Sequence, residues 1–112
     1  MRAILTYHSV DCSESPISVS EDSLKRHVRW LASGAVTVTT VDELLRMPES
    51  ADAVAITFDD AYASVVTEGL PILARWRVPA TVFVIGARIG GDNRWPGQWA
   101  SIPSMPLCSL RE

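Results

Sequence analysis

Apolar and polar positions fall into blocks along this chain, and each block has a recognisable period. "RAILTY" (2–7) is apolar and β-prone and reads as a buried strand. Residues 10–19 are rich in Ser, with Asp, Glu and Pro, and read as a loop. Leu24, Val28, Leu31 and Ala32 then recur at helical spacing. Ser20 can cap that helix, Ser23 sits in its first turn and Gly34 stops it, which predicts a helix over about 20–33. "AVTVTT" (35–40) is a second strand. Thr40 and Glu43 fit a capping box for a short helix through Leu44 and Leu45, ended before Pro48. "AVAITF" (53–58) is a third strand, apolar on both faces apart from Thr57, as in a parallel sheet covered by helices.

A helix is expected over much of 62–77, with Leu70, Leu73, Ala74 and Trp76 as packing residues. Pro71 cannot sit deep inside a regular helix, so a break is expected near Gly69, with Pro71 in the first turn of a second piece. "ATVFVI" (80–85) is a fourth buried strand. The order β-α-β-α-β-α-β predicts an α/β fold of roughly four parallel strands with intervening helices. From Gly90 to Glu112 the chain holds Gly, Pro and Trp without periodicity and reads as a long loop. Loops of that length are uncommon in compact domains unless functional or incomplete.

With 112 residues, 47% apolar and 21% charged, the composition suits one small globular domain. The net charge of -3, with no run of Lys or Arg, argues against a nucleic-acid binder. No apolar run is long enough for a membrane span, and the N-terminal stretch is too short and too soon polar for a secretory signal, so the default compartment is the cytoplasm. Cys12 and Cys108 lack metal-type or redox-type spacing and read as two unpaired thiols.

Two strands end in residues with chemistry. The first ends at Tyr7-His8-Ser9, and the third ends at Asp59-Asp60. In parallel α/β folds ligands gather at the carboxyl ends of the strands, so both clusters are expected on one rim. Two adjacent carboxylates resist joint ionisation, and a divalent cation removes that penalty. One can then ligate the metal while the other acts as general base toward water. Neighbours on a strand point to opposite faces, so the strand must end or twist at this dipeptide if both are to serve one site. The plainer alternative is a solvated loop start or a helix cap. His27, between Leu24 and Leu31, reads as packing or helix surface, and Arg88 and Arg94 as solvated surface. Trp95 and Trp99 read as core or loop anchors, with a groove-lining role as the alternative.

Thr57-Phe58-Asp59-Asp60, followed by a helix and then Ala80-Thr81-Val82-Phe83-Val84, resembles the polysaccharide deacetylases, the NodB-like domain of carbohydrate esterase family 4. "ILTYHSV" (4–10) and "TTVDELL" (39–45) are similar to one branch of that family. The resemblance spans about residues 3–90. It implies the N-terminal part of a distorted (β/α) barrel, with 91–112 as a loop leading onward, the whole chain being a single incomplete domain. It implies metal-dependent hydrolysis of acetyl groups from a polysaccharide or related substrate, through a C–N amide or an ester. By position, Asp59 corresponds to the catalytic base and Asp60 to a ligand of Zn²⁺ or a similar divalent ion. His8 and Tyr62 are expected beside the site.

The sequence departs from the family pattern in three ways. Ala61 stands where the motif has Gly. The H-[ST]-x-x-H-P segment that supplies two metal-binding histidines is missing, as only His8 and His27 are present. The later motifs, with the general-acid histidine, are missing too. The expectation is an inactive, marginally stable chain with an exposed sheet edge. Partners expected by resemblance are an acetylated glycan or a small amide. The alternative is a non-catalytic module of the same barrel that binds glycan or a partner chain.

Overall fold

The computed structural model describes all residues, 1–112. Four strands form one parallel sheet: β1 (Arg2–Tyr7), β4 (Thr37–Thr39), β5 (Ala53–Phe58) and β6 (Thr81–Val82). A separate two-stranded pair joins β2 (Ser9–Val10) to β3 (Ser18–Val19). The helices are α1 (Glu21–Leu31), α2 (Val41–Arg46) and α3 (Leu70–Trp76).

β5 is the axis of the sheet. It pairs with β1 along its whole length, from Arg2 opposite Ala53 to Tyr7 opposite Phe58. Its other edge is shared: β4 takes Ala53–Ala55 and β6 takes Thr57 and Phe58. The chain passes from β1 over β5 to β4, then returns to β5. Right-handed crossovers in opposite directions place their helices on opposite faces. The packing agrees. Leu24, Val28 and Leu31 of α1 and Ile72 and Leu73 of α3 join Val54, Ile56 and Phe58 in one core. Leu44 of α2 instead packs on Ala53 and Ala55 from the other side. Burying each large apolar side chain contributes about 1.5–3 kcal/mol.

The expected caps form. Ser20 accepts from the Ser23 N–H at the start of α1, and Thr40 with Glu43 closes a capping box on α2. Glu43 also accepts from the Thr39 hydroxyl, and these bonds hold its carboxyl below the usual range.

Several expectations are corrected. β1 is an edge strand, largely exposed, because β5 covers only one of its edges. The 80–85 strand shrinks to Thr81–Val82, and Phe83 and Val84 are 51% and 57% exposed. The 35–40 strand shrinks to three residues. The 62–77 helix does not break at Gly69; it widens into a π-helical turn over Val65–Gly69, with the Leu70 N–H donating to the Val65 carbonyl. Pro71 then sits in the first turn of α3, as expected. The wide turn adds one residue and rotates the buried face by about 100°. The packing residues are therefore Val65, Ile72 and Leu73, while Leu70, Ala74 and Trp76 are exposed. Gly69 is wedged at this point: a Cβ there would meet Val10 Cγ2 at 3.4 Å.

The long C-terminal loop is internally bonded. Its two arms pair through Gly90–Cys108, Gly91–Leu107 and Asn93–Met105 backbone hydrogen bonds. Buried Asn93 fastens them, accepting from the Met105 N–H at 2.8 Å and donating to the Pro103 carbonyl at 3.0 Å. The returning arm bridges to Tyr62, with Cys108 N–H donating to the Ala61 carbonyl at 2.8 Å. Both cysteines are free thiols.

An Asn93→Ala chain should lose about 1–2 kcal/mol of stability, because two part-buried backbone groups lose their partner. Hydrogen exchange should show lost protection at Met105 and Leu107 first; unchanged protection there would mean that the loop is held by packing alone.

Candidate active site

The parallel register carries the ends of β1 and β5 to one rim, as expected. Tyr7 lies opposite Phe58, and the Asp59 N–H still donates to the Tyr7 carbonyl at 2.9 Å. His8 and Asp59 are thus neighbours across the strand ends. Behind them, Tyr7 stacks on Phe58 with ring centroids 5.5 Å apart, which fixes the two strand ends against each other.

The backbone then does what the adjacent carboxylates require. β5 ends at Phe58, and the next residues leave the extended conformation. Asp60 has φ 66° and Ala61 has φ 52°, both left-handed. This turn cancels the strand alternation, so Asp59 and Asp60 line the same cleft. Ala61 is buried in a conformation that costs a Cβ-bearing residue about 1–2 kcal/mol and costs Gly little.

The cleft has a volume of about 360 Å³. Its floor is Thr6 and Thr57, same-face neighbours of Ile4 and Asp59, and the Thr57 hydroxyl donates to Thr6 Oγ1 at 3.0 Å. Val41 at the start of α2 closes one side, and Phe83, Val84 and Ile85 form an apolar wall. The motif reading missed the threonine floor and that wall. Period-two counting back from Asp59 to Thr57, and the matching Thr6 of β1, would have found the floor.

Burial pushes the Asp60 carboxyl up from its ordinary value; the His8 charge opposes that and the Asp59 charge adds to it. His8 is half-buried and acts on Asp60 electrostatically but does not line the cleft. Tyr62 has no exposed surface and belongs to the core. Burial raises the pKa of its phenol, which has no hydrogen-bond partner; the nearby Asn93 amide is already engaged with Met105 and Pro103. The structure therefore joins Asp59 and Asp60 in one cleft, sets His8 beside them and places Tyr62 behind.

A zinc centre is built from three or four protein donors in one place. No group of three or more His, Cys, Asp or Glu side chains is arranged to hold one. The two aspartates have the right chemistry but do not by themselves fit a metal centre. His27 lies elsewhere, exposed, sharing a 3.0 Å hydrogen bond between Nδ1 and the Tyr7 hydroxyl. Arg94 pairs with Asp92, Trp95 packs half-buried against the core, and Trp99 is exposed.

Ala61→Gly should leave stability within about 1 kcal/mol, since relief of the left-handed strain offsets the lost methyl contact. Ala61→Val should cost more than about 2 kcal/mol. Equal denaturation midpoints for Gly and Val would contradict the left-handed assignment.

Asp60→Asn should raise the melting temperature at pH 7. The sign follows from the raised carboxyl: the folded state holds its proton more tightly than the unfolded chain, so ionisation costs stability as pH rises above 3.8. The advantage of Asn should therefore shrink as pH falls toward 3.8, leaving only the better fit of Asn to left-handed backbone. A pH-independent difference would remove the electrostatic explanation.

Comparison with known proteins agrees with this architecture. A family model described as polysaccharide deacetylase matches residues 46–105. A Bacillus subtilis protein named as a polysaccharide deacetylase, YxkH, is 34% identical over 92 residues, covering 78% of this chain and 33% of that protein. The poly-β-1,6-N-acetyl-D-glucosamine N-deacetylase of Staphylococcus aureus is 30% identical over 80 residues, covering 68% of this chain and 28% of that protein. The solved structure of IcaB from Ammonifex degensii superposes with a TM-score of 0.76 at 26% identity, covering 96% of this chain and 44% of that one. The chain thus spans about a third of the length of the curated relatives it matches. Its parallel sheet corresponds to part of a NodB-like barrel, and the chain belongs to the polysaccharide deacetylase family.

Proposed function

We propose that these residues form the aspartate half of an active site that hydrolyses N-acetyl groups on a polysaccharide. The single observation that carries this reading is the left-handed Asp60-Ala61 turn, which brings both carboxylates into one cleft at the strand ends. Asp59, beside the backbone tie to Tyr7, takes the proton of the attacking water. Asp60 would offer one donor to a divalent ion, a site that the residues present here do not complete. The bound ion would supply Lewis acidity toward the acetyl carbonyl. The apolar wall of Phe83, Val84 and Ile85 suits the acetyl methyl, and the Thr6–Thr57 floor offers hydroxyls to a sugar. His8 tunes the charge of Asp60, and Tyr62 supports the turn from below.

The substrate class follows the named relatives: a polymer of N-acetylglucosamine is preferred over an acetyl ester or a small amide. A non-catalytic glycan-binding role is the competing reading, favoured by the incomplete donor set.

Two measurements test this. The 112-residue chain should bind Zn²⁺ weakly, without saturating at micromolar metal, because two carboxylates are a poor zinc site. Tight, stoichiometric binding would reveal ligands not counted here. The chain alone should release no acetate from an N-acetylglucosamine oligomer. A longer product of the same reading frame that completes the donor set should release it, and Asp59→Asn should slow that product by about 10²–10⁴-fold. Turnover by the 112 residues alone, or an active Asp59→Asn product, would sink the assignment.

A further inference from the structure

On the face of the sheet opposite the aspartate cleft, α1 and α3 enclose a groove of about 420 Å³, within the range of small-ligand clefts. The chain has ten Lys and Arg against thirteen Asp and Glu, with no basic run in its sequence. Folding nevertheless gathers four cations here, Lys25, Arg26, Arg29 and Arg75, against two carboxylates, Glu21 and Glu68. The groove is thus positive on a molecule that is negative overall.

Two of the four cations are engaged locally. Lys25 pairs with Glu21 at 3.0 Å and with Asp22 at 3.8 Å, and Arg26 donates to the Ser23 hydroxyl at 2.9 Å. Arg29 and Arg75 are exposed and have no ion-pair or hydrogen-bond partner. Arg29 also lies one helical turn from both Lys25 and Arg26, a like-charge spacing that destabilises an isolated helix. An anion between the two helices relieves that repulsion. Trp76 forms one wall, 40% exposed, and Pro71 with buried Ile72 gives an apolar floor.

We propose that this groove binds an acidic glycan, a carboxylated saccharide chain, at a place separate from the aspartate cleft. Planar guanidinium groups match carboxylates with two parallel hydrogen bonds. The Trp76 face offers a stacking surface for the apolar face of a sugar ring. The concavity disfavours a flat lipid surface, because the cations sit on the groove walls.

The test is calorimetric titration of the 112-residue chain with an oligogalacturonate at low salt, beside the same oligomer fully methyl-esterified. Binding of the carboxylated form, about tenfold or more tighter than the ester, is expected, and it should weaken with salt. The Arg29→Gln/Arg75→Gln variant should lose about tenfold or more while keeping its circular dichroism melt, since both side chains are exposed. Arg46→Gln, on α2, should bind like the parent chain. Undiminished binding by the double variant, no binding at all, or equal affinity for a single-stranded oligonucleotide or for phosphatidylglycerol vesicles would each overturn the proposal. Because the readout is binding and not acetate release, failure here leaves the deacetylase reading standing.

Discussion

Everything in this domain hangs on β5. All six of its residues are buried, and both of its edges are hydrogen-bonded. Its two faces are built for different partners. Val54, Ile56 and Phe58 are bulky and meet α1 and α3, while Ala53 and Ala55 are small and let α2 approach closely. A strand held so completely has one place to go when its ladder ends. The tie from the Asp59 N–H to Tyr7 sets that exit, and the turn behind it aims the carboxylates.

The two-faced arrangement also explains where a cleft can exist. α2 covers only the first half of β5 on its side of the sheet. Beyond it, Thr57 and Asp59 line the cleft with Thr6 and Phe83. On the opposite face α1 and α3 leave no such gap over the sheet, and their own groove lies between the helices. A concavity on one face is lined by carboxylates, and one on the other face by guanidinium groups.

What was legible in the sequence was local. The Ser20 and Thr40 caps, the α1 stripe and the apolar run of β5 carry signals within a few residues of one another, and burial agreed with them. What was not legible depended on distant neighbours. β1 and the residues after β6 are as apolar as β5, yet they lie at edges, and composition alone does not say which strand is central. The α3 face was misjudged because a π-helical turn shifts the phase of the helix, a change that Pro71 hints at but does not specify. The basic groove joins residues some forty positions apart, which no scan for charged runs detects. The Asp59-Asp60 pair was plain to read, but its shared orientation rests on two left-handed residues that sequence-based periodicity cannot show.

Three unfavourable features fall on three consecutive residues: a half-buried carboxylate beside another at Asp60, a left-handed Cβ at Ala61 and an unpartnered phenol at Tyr62. Stability alone would favour Asn at the first and Phe at the third of these positions, and would accept Gly at the second. Left-handed non-glycine residues also occur singly at Glu14 and Arg77, and Gln98 Nε2 is likewise buried without a partner, but three such costs adjoin only here. Strained backbone and desolvated charge persist where the surrounding structure over-determines them, and they gather at working sites. Here β5 supplies that over-determination from one side. The C-terminal loop supplies it from the other, through its bonds to the Ala61 carbonyl and the Ala63 N–H. The turn is therefore held at both ends, by β5 through the Asp59 N–H tie to Tyr7 and by the C-terminal loop.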